Sequence, residues 1–357
     1  MDDRPALVDW ALAERIAVRV AGTEPFAGSY HADSLGPDFD ELTAEAEQLV
    51  ASATGLVSLQ GPARARVTDR AGWVRANIAS FQRLLRPLTD KLGSRLGGGP
   101  LAPLTRAAAG AEVGALLGWM STRVLGQYDL LVVEDEQPDQ QDLVYYVGPN
   151  VLGLEKRFGF PPREFRLWLA LHEVTHRTQF TGVPWLRAHF LGLVEETLSA
   201  VDPDPTRIIH ALGRVAEGVK TGRNPLSDGG LAHLFATPAQ ADALQRVAGM
   251  MSLLEGHGDV TMDRAGADRI PSADRFSRVL RARRRSVSPA IKVFQQLLGL
   301  EAKLNQYEQG ERFIAAVERK GGPELVNTAF AEPANLPTLA EIRAPHDWIS
   351  RVHPNVR

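Results

Sequence analysis

The chain has 357 residues, enough for one large domain or two of ordinary size with a substantial buried core. An apolar share of 44% and a charged share of 23% are those of a soluble globular protein, and a net charge of -3 gives no general pull toward nucleic acid or anionic lipid. Cysteine is absent, which excludes disulfides, thiolate ligands and a cysteine nucleophile, so any metal must be held by nitrogen and oxygen donors.

The opening Met1-Asp2-Asp3-Arg4-Pro5 is acidic and has no basic region leading into an apolar run. No secretory signal is expected, and the cytoplasm is the simplest location. Helical apolar spacing predicts a first helix over Pro5 to Val20, with Leu7, Trp10, Ala11, Ile16 and Val18 as its apolar set. A glutamate-rich second helix is predicted over Phe39 to Ala53. A third covers Asp69 to Leu92, where Trp73, Ile78, Phe81, Leu84, Leu85 and Leu88 recur on one face. Gly93 to Pro100 is the clearest linker. It sets an expected division into an N-terminal helical region, 1–100, and a core, 101–357. The run from Ala107 to Leu125 is the most membrane-like, but Glu112 and Arg123 interrupt it. Its helix-spaced Gly110, Gly114 and Gly118 suit close packing, and a buried helix is expected rather than a membrane span.

Two β-rich stretches follow, Tyr128 to Val133 and Leu143 to Val147, flanking an acidic, glutamine-rich turn. Phe165 to Phe180 reads as a helix. Further helices are predicted from Leu186 to Ala200, from the Thr237-Pro238 start past Asp259, and from Ala290 to Lys320. The last 30 residues, with Pro333, Pro337, Pro345 and Pro354, read as an extended tail. The expected fold is mainly α, with a small sheet beside the Phe165–Phe180 helix.

That helix carries His172-Glu173-Val174-Thr175-His176. Four-residue spacing puts the two imidazoles on one face about one turn apart, where both can bind a single zinc ion. Glu173 then lies beside the metal, placed to take a proton from a zinc-bound water. A hydrolytic zinc needs a third protein ligand and an open position. Glu255 is the favoured third ligand. It shares a helix face with Met251 and Asp259 and borders the apolar stripe Leu244, Val247, Met251 and Leu254, where a carboxylate needs a positive partner. Gly256 and Gly258 weaken the helix locally but allow another helix to approach. Asp259 is placed to accept the second ring N–H of a liganding histidine. Glu196 is the alternative third ligand, nineteen residues separating it from His176, although Ala200 stands where thermolysin-like enzymes carry an aspartate. His257 lies far around the helix from Glu255 and reads as structural or as a support to the ligands. On another helix Lys303, Gln306, Tyr307 and Gly310 share a face; Tyr307 could donate to an oxyanion, or the set could close one helix onto its neighbour. Asp263 reads as a helix-end residue, and the Arg281 to Arg285 cluster as a solvated face.

Glu255 to Asp259 also resembles the Glu-x-x-Gly-Asp segment of gluzincin metallopeptidases. Over nearly its full length the chain resembles the zincin-like hydrolase family, of actinobacterial type, whose name associates it with biosynthesis of the deazaflavin coenzyme F-420. The resemblance rests on Asp69-Arg70, Trp73-Val74 and Asn77, on Gly118 through Asp129, and on Val147-Gly148-Pro149-Asn150. It extends through His172 to His176 with Phe180 and Pro184-Trp185-Leu186, then Leu254 to His257, Met262-Asp263, Leu298 to Leu300, Lys303, Gln306-Tyr307, Gly310 and Phe313. It implies a zincin-like, gluzincin-type core and a hydrolase, with no substrate named. The expected activity is zinc-dependent attack of water on a peptide or small amide, without nucleic-acid or membrane partners. A catalytically inactive zincin fold kept as a binding or scaffold protein is the alternative.

Overall fold

The computed structural model describes residues 7–24, 26–85, 102–130, 142–199, 238–285 and 301–354. In chain order these form α1 (Trp10–Ala21), α2 (Tyr30–Asp33), α3 (Leu35–Thr54), β1 (Arg64–Thr68), α4 (Arg70–Leu84), α5 (Ala102–Ser121), β2 (Gly126–Tyr128), β3 (Leu143–Val147), α6 (Gly148–Phe158) and α7 (Pro162–Gly182). There follow α8 (Leu186–Ser199), α9 (Pro238–Gly266), α10 (Ala273–Arg285), α11 (Glu301–Gly321), α12 (Pro323–Asn327), α13 (Leu339–Arg343) and α14 (Pro345–Val352). The chain gathers into two units, Met1–Pro184 with Thr261–Asp274, and Trp185–Val260 with Arg275–Arg357. The linker expected at Gly93 to Pro100 lies outside the described residues.

In the first unit, the tightest helix crossing is built from the smallest residues. α1 starts at Asp9, whose carboxylate accepts from the Leu12 N–H at 2.9 Å, and it buries Ala13, Ala17 and Ala21. Gly110, Gly114 and Gly118 of α5 lie against it: a Cβ on them would stand 2.4, 2.5 and 2.5 Å from the carbonyl oxygens of Asp9, Ala13 and Ala17. The expected buried helix is what forms. No helix among the described residues is long and apolar enough to cross a membrane. Around this crossing Ala17, Trp73, Val74, Ile78, Leu117 and Val147 make one apolar cluster.

The small sheet has order β1-β3-β2. β1 runs parallel to β3, from Arg64↔Leu143 to Thr68↔Val147, and β2 runs antiparallel, from Gly126↔Tyr146 to Tyr128↔Val144. β3 has the predicted bounds. Of the strand predicted over Tyr128 to Val133, residues 131–133 lie outside the described residues; among the described ones the strand is Gly126–Tyr128, where Gly126 and Gln127, poor strand formers by themselves, are held by tertiary contacts. β1 was not predicted. Its Arg-Ala-Arg-Val-Thr sequence alternates, but through one alanine and one valine only, and its parallel partner is distant in the chain.

α7 begins at Pro162, with Glu164 in its first turn, and is buried on nearly all sides. A helix so enclosed must pair its charges. Arg166 binds Glu155 at 2.8 and 2.9 Å and also reaches Asp38. Arg177, fully buried, binds Glu47 at 2.7 Å, the Gly61 carbonyl at 2.8 Å, and Asp142 just before β3. These arginines lock α7 against α3, α6 and the entry to the sheet.

In the second unit α9 and α11 meet at glycines. A Cβ on Gly310 would stand 2.0 Å from the Ser252 oxygen and 3.0 Å from the Gly256 Cα. The close approach read from Gly256 and Gly310 is therefore present. The tail expected to be extended instead holds α13 and α14, with Ile342, Trp348 and Ile349 buried. Pro345 opens α14, and Thr338 with Glu341 forms a capping box for α13.

Candidate metal centre

One turn of α7 separates His172 from His176, and both rings leave the same helix face. Their planes stand at 87° with centroids 4.6 Å apart, and the two Nε2 atoms are 3.2 Å apart. Both histidines are half-buried, while Glu173 between them is buried. Glu173 lies on the sheet side of the helix, against Gly126 of β2. Burial pushes the Tyr146 phenol far above its ordinary range; a hydrogen bond with Thr43 opposes this and the Glu173 carboxylate adds to it. Tyr146 is also stacked on Phe39 at 3.8 Å, so the floor beneath Glu173 is rigid.

The Nδ1 of His176 meets the Gln179 Oε1 at 3.0 Å. An amide oxygen facing Nδ1 suits the tautomer protonated there, which leaves Nε2 bare for a metal. Gln179 is fully buried and was missed by sequence reasoning. Its signal was there, since it stands three residues after His176, on the neighbouring helical position.

Glu255 lies on α9 and is 6% exposed. Two imidazoles one helical turn apart, with their Nε2 atoms facing each other, are donors that zinc takes, so His172 and His176 fit it. Glu196 is exposed and takes an ion pair from Arg246 at 2.7 Å. His257 is buried edge-to-face on Phe330, 5.1 Å between centroids. Asp259 follows Glu255 by one turn and is half-buried. Arg281 pairs with Glu311 at 3.0 Å, in keeping with a solvated face. Lys303, Gln306 and Tyr307 lie in α11, their side chains outside the described residues.

A helix bearing His-Glu-x-x-His on a small mixed sheet, within a mainly helical chain, defines a zincin-like protein. Residues 8–349 match the family described as "Zincin-like metallopeptidase", and the chain belongs to that family. It is also similar to a crystal structure from Chloroflexus aurantiacus described as "a putative hydrolase with a novel fold". The TM-score is 0.71 and the identity 29%, over 97% of this chain and 98% of that one. No curated protein matches. Family and neighbour together support a hydrolase.

Proposed function

We propose that this protein is a zinc-dependent hydrolase, a metallopeptidase that brings water to the carbonyl of a peptide or small amide. The observation that carries this reading is the imidazole pair. Two nitrogens sharing one zinc at tetrahedral angles stand about 3.3 Å apart, and those of His172 and His176 are 3.2 Å apart. Glu255 is the third donor in this reading, with Asp259 as the acceptor of a liganding histidine's second ring N–H and His257 as a further support. Zinc bound there would polarise the substrate carbonyl and lower the pKa of a water in the open position.

Glu173 is the proton carrier. Its buried carboxylate accepts a proton from the attacking water and returns it to the leaving amine, the role of a general base that becomes a general acid. Tyr307 is the expected donor to the developing oxyanion. The substrate would lie extended along β2. Leu125 and Asp129 direct backbone groups toward β3, bonding Val147 N–H and Leu143 O at 2.8 and 3.2 Å. The alternating pattern of an antiparallel ladder then turns the N–H and C=O of Gly126 and Tyr128 to the opposite edge, where an added strand would pair. β3, which carries Val144, is central and paired on both sides.

Glu173→Gln tests the reading. It should keep stoichiometric zinc, measured by mass spectrometry of the metal, while turnover of a peptide library falls about 10²- to 10⁴-fold. Full zinc with no turnover of any peptide by the wild type would refute the peptidase and favour a zincin fold retained for binding.

A further inference from the structure

Glycine has no side chain to pack in a strand, yet Gly126 sits in β2 directly opposite Tyr146. A Cβ placed there would meet Glu173: its Cγ at 2.6 Å, Oε1 at 2.7 Å and Cδ at 2.9 Å are the three nearest atoms. Glu173 therefore lies flat on bare strand backbone. The register puts Gly126 and Tyr146 on one face of the sheet, and Gln127 with Tyr145 on the other.

On that other face a closed ring of hydrogen bonds holds the strand. The Trp73 indole donates to Gln127 Oε1 at 2.8 Å, Gln127 Nε2 donates to Asn77 Oδ1 at 3.1 Å, and Asn77 Nδ2 donates to the Trp73 carbonyl at 2.9 Å. An indole N–H can only donate, so it fixes the orientation of both amides in turn. α4 thus grips the residue next to Gly126, and Gly126 carries Glu173.

We propose that Gly126 is a positioning residue: it provides the side-chain-free seat that sets where the Glu173 carboxylate stands, and the Trp73–Gln127–Asn77 ring holds that seat still. The catalytic consequence rests on the hydrolase reading; the positioning itself does not.

The test is a double-substitution cycle on zinc-free protein, read as urea midpoints for Gly126→Ala, Glu173→Ala and the pair. Gly126→Ala should lower the midpoint when Glu173 is present, and by less than half as much when residue 173 has been cut to alanine. If Gly126→Ala fails to fold, recovery of folding by the added Glu173→Ala is the same result in stronger form. Equal midpoint shifts in both backgrounds, or failure to fold in both, overturn the proposal. In zinc-loaded protein, Gly126→Ala should keep full metal content and a KM within about twofold while kcat falls about tenfold or more, and Gln127→Leu should act in the same direction. Loss of zinc in step with kcat would overturn it, because the metal and not the base would then be displaced. Should the wild type hydrolyse nothing, the urea cycle still decides the role of Gly126, so the two readings fail separately.

Discussion

Substituting Gly310 by alanine should cost both stability and zinc affinity, by amounts that follow from one contact. The new Cβ would stand 2.0 Å from the Ser252 oxygen. A relaxed carbon–oxygen contact needs roughly 3.3 Å, so α9 and α11 must part by about 1 Å. The obstructing atoms are helix backbone and cannot swing aside. Overpacking costs about 1–3 kcal/mol, and rigid neighbours put this case near the upper end. Alanine regains about 1 kcal/mol over glycine in a helix, leaving a net loss of about 2 kcal/mol. Glu255 adjoins Gly256, the residue that Gly310 faces, so a shift of that size displaces its carboxylate. Coordination tolerates only about 0.2 Å, and zinc should bind at least about tenfold more weakly. Thermal unfolding of zinc-free protein reads the first effect, and competition against a chelating dye reads the second. Gly192→Ala is the control: nothing lies within 4 Å of its Cβ position in α8, so it should be neutral or slightly stabilising. A Gly310→Ala protein as stable as wild type, with undiminished zinc affinity, would refute the reasoning.

Gln179→Leu removes the acceptor from His176 Nδ1, and zinc affinity should fall about 10- to 100-fold, with Gln179→Glu restoring much of it; the same competition titration measures both. For Glu341, burial alone would raise the pKa, but bonds from Arg351 at 2.6 and 3.1 Å and from the Thr338 N–H at 2.8 Å hold it below its ordinary value. A depressed folded pKa contributes stability above the unfolded value and loses it as pH falls through the folded one. Glu341→Gln should therefore be less stable than wild type at neutral pH, and the gap in urea midpoint should narrow below the ordinary value of 4.5.

The legible parts of this chain were those whose signal is local. Two histidines four residues apart define a helix face without reference to anything distant, and α7 carries them on that face. Leu143–Val147 is a strand by composition alone, and it forms with the predicted bounds. What stayed hidden depends on partners far along the chain. Arg64–Thr68 becomes a strand where β3 offers a parallel edge, and Gly126–Tyr128 where β3 pairs with it and Trp73 and Asn77 of α4 hold Gln127. The C-terminal prolines misled for a different reason. Proline ends a helix when it falls inside one, but it opens one at the first position, and Pro345 does the latter.

Gly126 and Gly256 share a logic that propensity obscures. Each weakens its own element, the strand through lost packing and the helix by about 1 kcal/mol. Each lies beside a carboxylate that the proposed chemistry needs: Gly126 beneath Glu173, and Gly256 next to Glu255 where α9 meets Gly310. A side-chain contact leaves torsions free to relax, whereas a contact with bare backbone sets a separation that only movement of a whole element can change. The glycines of α5 serve close packing against α1 and lie by no carboxylate of the site, so substitution there should cost stability and leave the zinc-to-carboxylate geometry alone. The position of a glycine relative to the acids, and not its frequency in the chain, separates those that build the core from those that aim the site.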